Sequence, residues 1–168
     1  MAQYQAGTLV VYGNLGVHEI ESVGPHSFCG EPAKDYYTLR PTFSDSHDRN
    51  YIPATKEGVF RPVHSAEQIT AEFEKIKSEE LPVPTANNRA VLAEHYQTML
   101  HTNDFYEYLK LFKELYQKQT AQRSRGRKVN TMDVHFYQMV ERVLREELAV
   151  AFSEPLEDAE KRLIDAVS

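Results

Sequence analysis

Hydrophobic and polar positions change period once along this chain. Up to about residue 63 the apolar residues come in short runs broken by Gly, Pro and polar clusters; beyond it they recur every three or four residues. The first pattern predicts strands and the second amphipathic helices. Residues 8–12, Thr-Leu-Val-Val-Tyr, read as a strand with both faces used. Gly13-Asn14-Leu15-Gly16 supplies residues that tolerate positive φ, as a hairpin turn requires. In the return strand Val17, Glu19 and Glu21 face one way and His18, Ile20 and Ser22 the other, until Gly24-Pro25 ends the run. Three further strands are expected at 35–40, 50–53 and 58–63, with Pro41 stopping the first or placing it at an edge. Five short strands in about 60 residues suggest a small, strongly bent sheet or an SH3-like barrel.

Ser65-Ala66-Glu67-Gln68 fits a capping box, with Ser65 at the N-cap. The helix it opens should reach about residue 79 on the stripe Ile69, Phe73, Ile76. A Pro-stiffened linker, 81–85, precedes a second helix at 88–101 that carries Val91, Leu92, Tyr96, Met99 and Leu100. A third is expected at 104–121 on Phe105, Leu109, Phe112 and Tyr116, flanked by Tyr108, Leu111 and Leu115. Asn130 caps the fourth and longest, which buries Phe136, Met139, Val140, Val143, Leu144 and Leu148. A last helix, 155–167, starts with Pro in its first turn. The fold class is therefore α+β: a five-stranded Tudor/SH3-like β unit, 1–63, then a compact bundle of four to five helices, 64–168.

Composition narrows the function. The chain of 168 residues has 19 Lys and Arg against 25 Asp and Glu, a net charge of −6, which argues against a nonspecific polyanion binder but not against a local basic patch. A single cysteine, Cys29, excludes an internal disulfide and favours a reducing compartment. No apolar run approaches the roughly 20 residues that span a bilayer, and no signal peptide is visible. A soluble cytoplasmic protein with no membrane contact is the expectation.

Candidate chemistry is sparse. His18, His26 and Cys29 lie close, and His26-x-x-Cys29 has ligand-like spacing, but zinc sites use two such halves and only one is present. His95 and His101 fall on different helix faces, and His135 reads as a partly buried packing residue. There is no G-x-S-x-G, P-loop or G-x-G-x-x-G, and the acidic pairs Glu79-Glu80 and Glu146-Glu147 read as solvated helix surface. No enzyme, metal or cofactor is expected. The sharpest feature is a basic loop, Lys118, Arg123, Arg125, Arg127 and Lys128, with no acid among them. It can lie along a phosphate backbone, or its cations can offset the C-terminal dipole of the third helix; both readings stand. An open sheet edge can accept a partner strand, unless Arg40 and Pro41 blunt it.

Gly7-Thr8-Leu9-Val10-Val11-Tyr12-Gly13-Asn14-Leu15-Gly16-Val17 resembles the opening signature G-D-x-V-V-Y-P-x-H-G-V of the CarD/CdnL transcription regulators. Tyr36-Tyr37-Thr38-Leu39-Arg40-Pro41 resembles that family's third strand, and Tyr51-Ile52-Pro53 with Phe60-Arg61-Pro62-Val63 the end of the same module. That module is also similar to the polymerase-interacting domain of transcription-repair coupling factor. In the second half Thr102-Asn103-Asp104, Leu115-Tyr116, Arg127-Lys128-Val129 and 147–151 resemble further motifs, in order. The chain departs at Thr8, Gly13 and Leu15, and it has no Trp where many members wedge one near the start of the second helix.

The resemblance implies a non-enzymatic, metal-free regulator. Its β unit would dock on the β subunit of bacterial RNA polymerase through Thr38, Arg40, Arg49 and Tyr51, exposed on the third and fourth strands. Its helical unit would contact promoter DNA at the upstream edge of the bubble, with weak sequence preference, through Arg89, Arg123, Arg125, Arg127 and Lys128. It would be nucleoid-associated through polymerase, and a monomer unless the N-terminal hairpin swaps between chains. The alternative is an adaptor whose Tudor-like module docks elsewhere and never touches DNA. A distant third is a metal enzyme using His18, His26 and Cys29.

Overall fold

The computed structural model describes residues 4–81 and 88–168. The chain divides into two compact units, Met1–Val63 and His64–Ser168, at the point where the composition changes. The linker expected at 81–85 lies outside the described residues except for Leu81.

The first unit is a curled five-stranded antiparallel sheet. Its strands are β1 (Leu9–Val11), β2 (Val17–His26), β3 (Lys34–Pro41), β4 (Asn50–Pro53) and β5 (Arg61–Pro62), in the spatial order β4-β3-β2-β1-β5. The β1–β2 connection is one 3-10 turn at Gly13–Leu15, closed by Tyr12 N–H to Gly16 C=O at 2.9 Å. Gly13 and Gly16 take φ of +52° and +93°, which side-chain-bearing residues rarely adopt.

Register decides which side chains reach the core. Between Ile20 and Ser22 the β2–β3 pairing slips, leaving Glu21 as the extra residue of a bulge. The slip breaks the alternation expected from sequence. Ile20 is buried and Ser22 exposed, although the two were expected on one face. Gly24-Pro25 does not stop the strand, which continues to His26 opposite Lys34. The core is Val10, Ile20, Tyr37, Leu39, Ile52 and Phe60, with Tyr4, Tyr12 and Val23 packed on it. Tyr37 and Phe60 meet edge to face, with ring centroids 5.3 Å apart.

The second unit holds five helices: α1 (Ala66–Ser78), α2 (Arg89–His101), α3 (Phe105–Ser124), α4 (Thr131–Ala151) and α5 (Leu156–Val167). Ser65 and Gln68 form the reciprocal capping box, and Asn88, Asp104 and Asn130 cap the next three helices with their side chains. Most of each expected stripe is buried: Ile69, Phe73 and Ile76 on α1; Leu92, Tyr96 and Leu100 on α2; Phe105, Leu109 and Phe112 on α3; Val91 is exposed instead, and Met99 and Tyr116 are half-buried at the margins of their faces. At the far end of α1 the Lys113 ammonium, buried, donates to the carbonyls of Ile76 (2.7 Å) and Glu79 (2.9 Å). A cation there satisfies orphan acceptors and opposes the negative helix end.

Three expectations about polar residues fail in this unit. Glu146 and Glu147 are buried, because the long α4 packs against both α3 and α5 and leaves little of itself to solvent. Glu147 accepts the backbone N–H of His64 at 2.8 Å, and its same oxygen lies 2.9 Å from the His64 ring Nδ1. His135 is exposed, its ring lying edge-on to Phe136 rather than inside the core. Glu79 is half-buried, accepting the Tyr106 hydroxyl.

Candidate functional site

Two surfaces carry the candidate residues, one in each unit. In the β unit the surface is β4, which ends the sheet. The pairing Tyr36–Pro53, Tyr37–Ile52, Thr38–Tyr51, Leu39–Asn50 continues with Ala54 N–H donating to Asp35 C=O at 2.9 Å. Antiparallel ladders alternate, so Asn50 and Ile52 turn their backbone groups to β3 and Tyr51 turns its own to the open side.

Of the four residues expected to meet a partner here, two are well exposed. Tyr51 is 42% exposed. Arg40 is exposed too and forms a cross-strand ion pair with Glu19, its register partner. Arg49 precedes β4 by one residue, and its Nε donates to Glu21 Oε2 at 2.6 Å. The bulge thus supplies the carboxylate that holds Arg49. Thr38 is buried, contrary to expectation. It lies on β3, flanked by Ser22 of β2 and Tyr51 of β4, and a short side chain between two strands is covered by its neighbours.

Sequence reasoning missed the aromatic residues around Tyr51. His26, Phe28, Tyr36 and Tyr51 form one cluster, with Phe28–Tyr36 at 5.0 Å, His26–Tyr51 at 5.2 Å and Phe28–Tyr51 at 5.3 Å between centroids. Phe28 comes from the β2–β3 connection, so no strand period marks it. The hairpin register does mark Tyr36: it lies opposite Gly24, which offers no side chain to cover it.

In the helical unit the surface is the turn between α3 and α4. The helix runs to Ser124, so Lys118 and Arg123 belong to α3 and not to the loop. Arg127 N–H bonds Gln122 C=O (2.9 Å) and Gly126 N–H bonds Arg123 C=O (3.0 Å), a Schellman closure with Gly126 at φ +67°. This tight turn gathers Arg123, Arg125, Arg127 and Lys128 at the carbonyl end of α3; Arg125, Arg127 and Lys128 are exposed and Arg123 is exposed in the last turn of the helix.

Lys118 does not join them. Its ammonium lies 2.8 Å from the buried carboxylate of Asp133 and 3.3 Å from the Tyr96 hydroxyl. Tyr96 in turn donates to Asp133 at 2.9 Å, and burial, followed by this bond, holds its hydroxyl well above the usual range. Arg89 is exposed as the first residue of α2, away from the α3–α4 turn in sequence. The positions where a family Trp was sought are Asn87 to Ala90; Asn87 lies outside the described residues.

The histidines and the cysteine do not assemble. His18 is buried with its Nδ1 3.0 Å from the Gly16 carbonyl, His26 sits in the aromatic cluster, and Cys29 is exposed. Among the described residues no group of three His, Cys, Asp or Glu side chains could hold a metal ion, and no helix is long and apolar enough to cross a membrane.

No family model matches the chain, and no curated protein is detectably similar to it. The likeness to the CarD/CdnL regulators rests on the short motifs alone.

Proposed function

We propose that this protein is a transcription regulator that docks on the β subunit of bacterial RNA polymerase through a Tudor-like β unit and contacts promoter DNA with its helical bundle. The observation that carries the reading is the α3–α4 turn. Four cations within six residues, in a chain of net charge −6, make a local site for a phosphate backbone where the whole molecule would be repelled. An acidic protein can use so small a patch if a second contact holds it near DNA. Docking through the open β4 edge, with Arg40, Arg49 and Tyr51, would raise the effective concentration in that way. The DNA contacts would be to phosphates, which position without reading sequence. Arg89 would add a further phosphate contact.

The test is the lifetime of a promoter open complex formed by bacterial RNA polymerase, with and without the full chain. A changed lifetime that reverts on Arg125→Glu with Arg127→Glu supports the reading. An unchanged lifetime, with no retention on immobilised β subunit, removes it.

One observation favours the second reading, an adaptor that never touches DNA. The open β4 edge and the aromatic cluster beside it would serve a protein partner without any contribution from the basic turn. That reading takes over if a partner is retained at the edge while charge reversal in the turn changes nothing.

A further inference from the structure

Lys113 carries a charge that the helical unit does not balance. It comes from the middle of α3 and is 7% exposed. An ammonium has three N–H donors, and two of these go to the carbonyls of Ile76 and Glu79. No carboxylate pairs with it among the described residues. The negative end of α1 compensates about half a charge, and a buried cation short of a full counter-charge is costly. The third N–H is left for an acceptor.

That ammonium lines a cleft of about 480 Å³, walled by the end of α1 from Lys77 to Leu81 and by Lys113 and Gln117, one turn apart on α3. Such a volume is of the size that holds small molecules. Two of the other charges around it are already engaged: Lys77 pairs with Glu74 at 3.1 Å, and Glu79 accepts the Tyr106 hydroxyl. Glu80 is exposed and has no ion-pair partner among the described residues. The cleft thus holds one unmatched cation and one unmatched anion. They lie at the same end of it, because Glu80 follows directly on Glu79, whose carbonyl bonds Lys113. The exposed Gln117 adds an amide donor beside the cation. Among the described residues that line the cleft, Leu81 alone is apolar.

We infer that this cleft binds a zwitterion, a free α-amino acid with a polar side chain, its carboxylate on Lys113 and Gln117 and its ammonium on Glu80. The charges select against simpler ligands. A lone anion satisfies Lys113 but meets Glu79 and Glu80, and a dianion such as phosphate meets them at twice the charge. A lone cation faces Lys113 and Lys77. A ligand with both charges close together gains at each end. Its carboxylate takes the third Lys113 N–H as a charge-assisted hydrogen bond, which is strongest where water is excluded. The site shares no residue with the α3–α4 turn or the β4 edge. It makes the helical unit a receptor for a small metabolite, whichever macromolecule the protein docks on.

The test uses the isotope-labelled full chain and three probes. Glutamine has a polar, uncharged side chain; N-acetylglutamine lacks its ammonium, and glutamine amide lacks its carboxylate. Millimolar glutamine should shift the Lys113 ammonium resonance and the backbone amides of Glu80 and Leu81. Each of the other two should bind at least about tenfold more weakly, the loss of one charge-assisted hydrogen bond. Glu80→Gln, at an exposed position, should weaken glutamine by about tenfold and leave N-acetylglutamine as it was. Equal binding by the three probes, or an unmoved Lys113 resonance, overturns the inference. So does a Lys113 resonance that moves on Glu80→Gln before any ligand is added, since Glu80 is then its counter-ion. Inorganic phosphate that shifts these resonances more than glutamine does overturns it as well.

Discussion

The Lys118 ammonium lies 2.8 Å from a carboxylate oxygen of Asp133, a residue with no exposed surface. The pair joins α3 to the first turn of α4, and Tyr96 extends it to α2. Asp133 also gains from the positive end of α4. Removing one member of a buried pair strands the other, so Asp133→Ala should lower the unfolding free energy of the helical unit by about 3 kcal/mol. Urea unfolding measures this. A double-mutant cycle with Lys118→Met should give a coupling of at least about 1 kcal/mol. Additive losses would show that the two residues act independently.

Helix ends offer a second check. Ser153 follows α4 at φ +50°, with Glu154 N–H on Ala149 C=O at 3.0 Å and Ser153 N–H on Val150 C=O at 3.3 Å. This is the closure seen after α3, built on serine instead of glycine. A side chain there is strained, so Ser153→Gly should stabilise by about 0.5–1 kcal/mol, raising the thermal midpoint by about 2 °C. Gly126→Ala should cost about 1 kcal/mol, since a Cβ at Gly126 meets no neighbour and only the backbone conformation objects. Equal midpoints for all three proteins would contradict the backbone argument.

The capping box and most of the helical stripes were legible in the sequence because they are local. Ser65 finds Gln68 three residues on, and Ile69, Phe73 and Ile76 reach one face by period alone. The buried carboxylates were not legible. Glu147 is matched to His64 across 83 residues and Asp133 to Tyr96 across 37, and nothing near either marks it as interior. The same limit applies to the candidate surfaces. Four cations between two helices can be read from composition, but the diversion of Lys118 into the interior cannot. Thr38 was placed on the surface through the family resemblance, which says nothing of cover from flanking strands. Phe28 lies in the β2–β3 connection, and only the folded sheet brings it beside Tyr51.

Glu141 makes stability depend on pH. Burial pushes its carboxyl above the ordinary 4.5; Arg145 opposes this and Glu160 adds to it. The folded state therefore holds a proton that the unfolded state has released. Stability is greatest below the unfolded pKa and falls as pH rises through the folded one. Glu141→Gln removes that fall. The variant should gain on the wild type as pH rises from about 4 to 7 in urea unfolding. A constant difference across that range would show that Glu141 does not titrate differently in the two states.

The α3–α4 turn gives the sharpest prediction about function, since phosphate contacts are counted by salt. Each one adds about 0.9 to the slope of log K against log salt on duplex DNA. Replacing Arg125 and Arg127 by Ala should therefore weaken binding and reduce the slope by about 2. Lys118→Ala should leave the slope unchanged, because its ammonium already faces Asp133. Both variants can be compared with wild type on promoter DNA bound by polymerase, where the proposed docking would hold the protein at the duplex. Both Arg125 and Arg127 are exposed, so their loss leaves the fold intact and a changed slope reports contact alone. A slope that falls with Lys118 and not with the arginines would place the phosphate track elsewhere on the helical unit. A slope unaffected by any of the three would end the DNA half of the proposal and bring the adaptor reading forward.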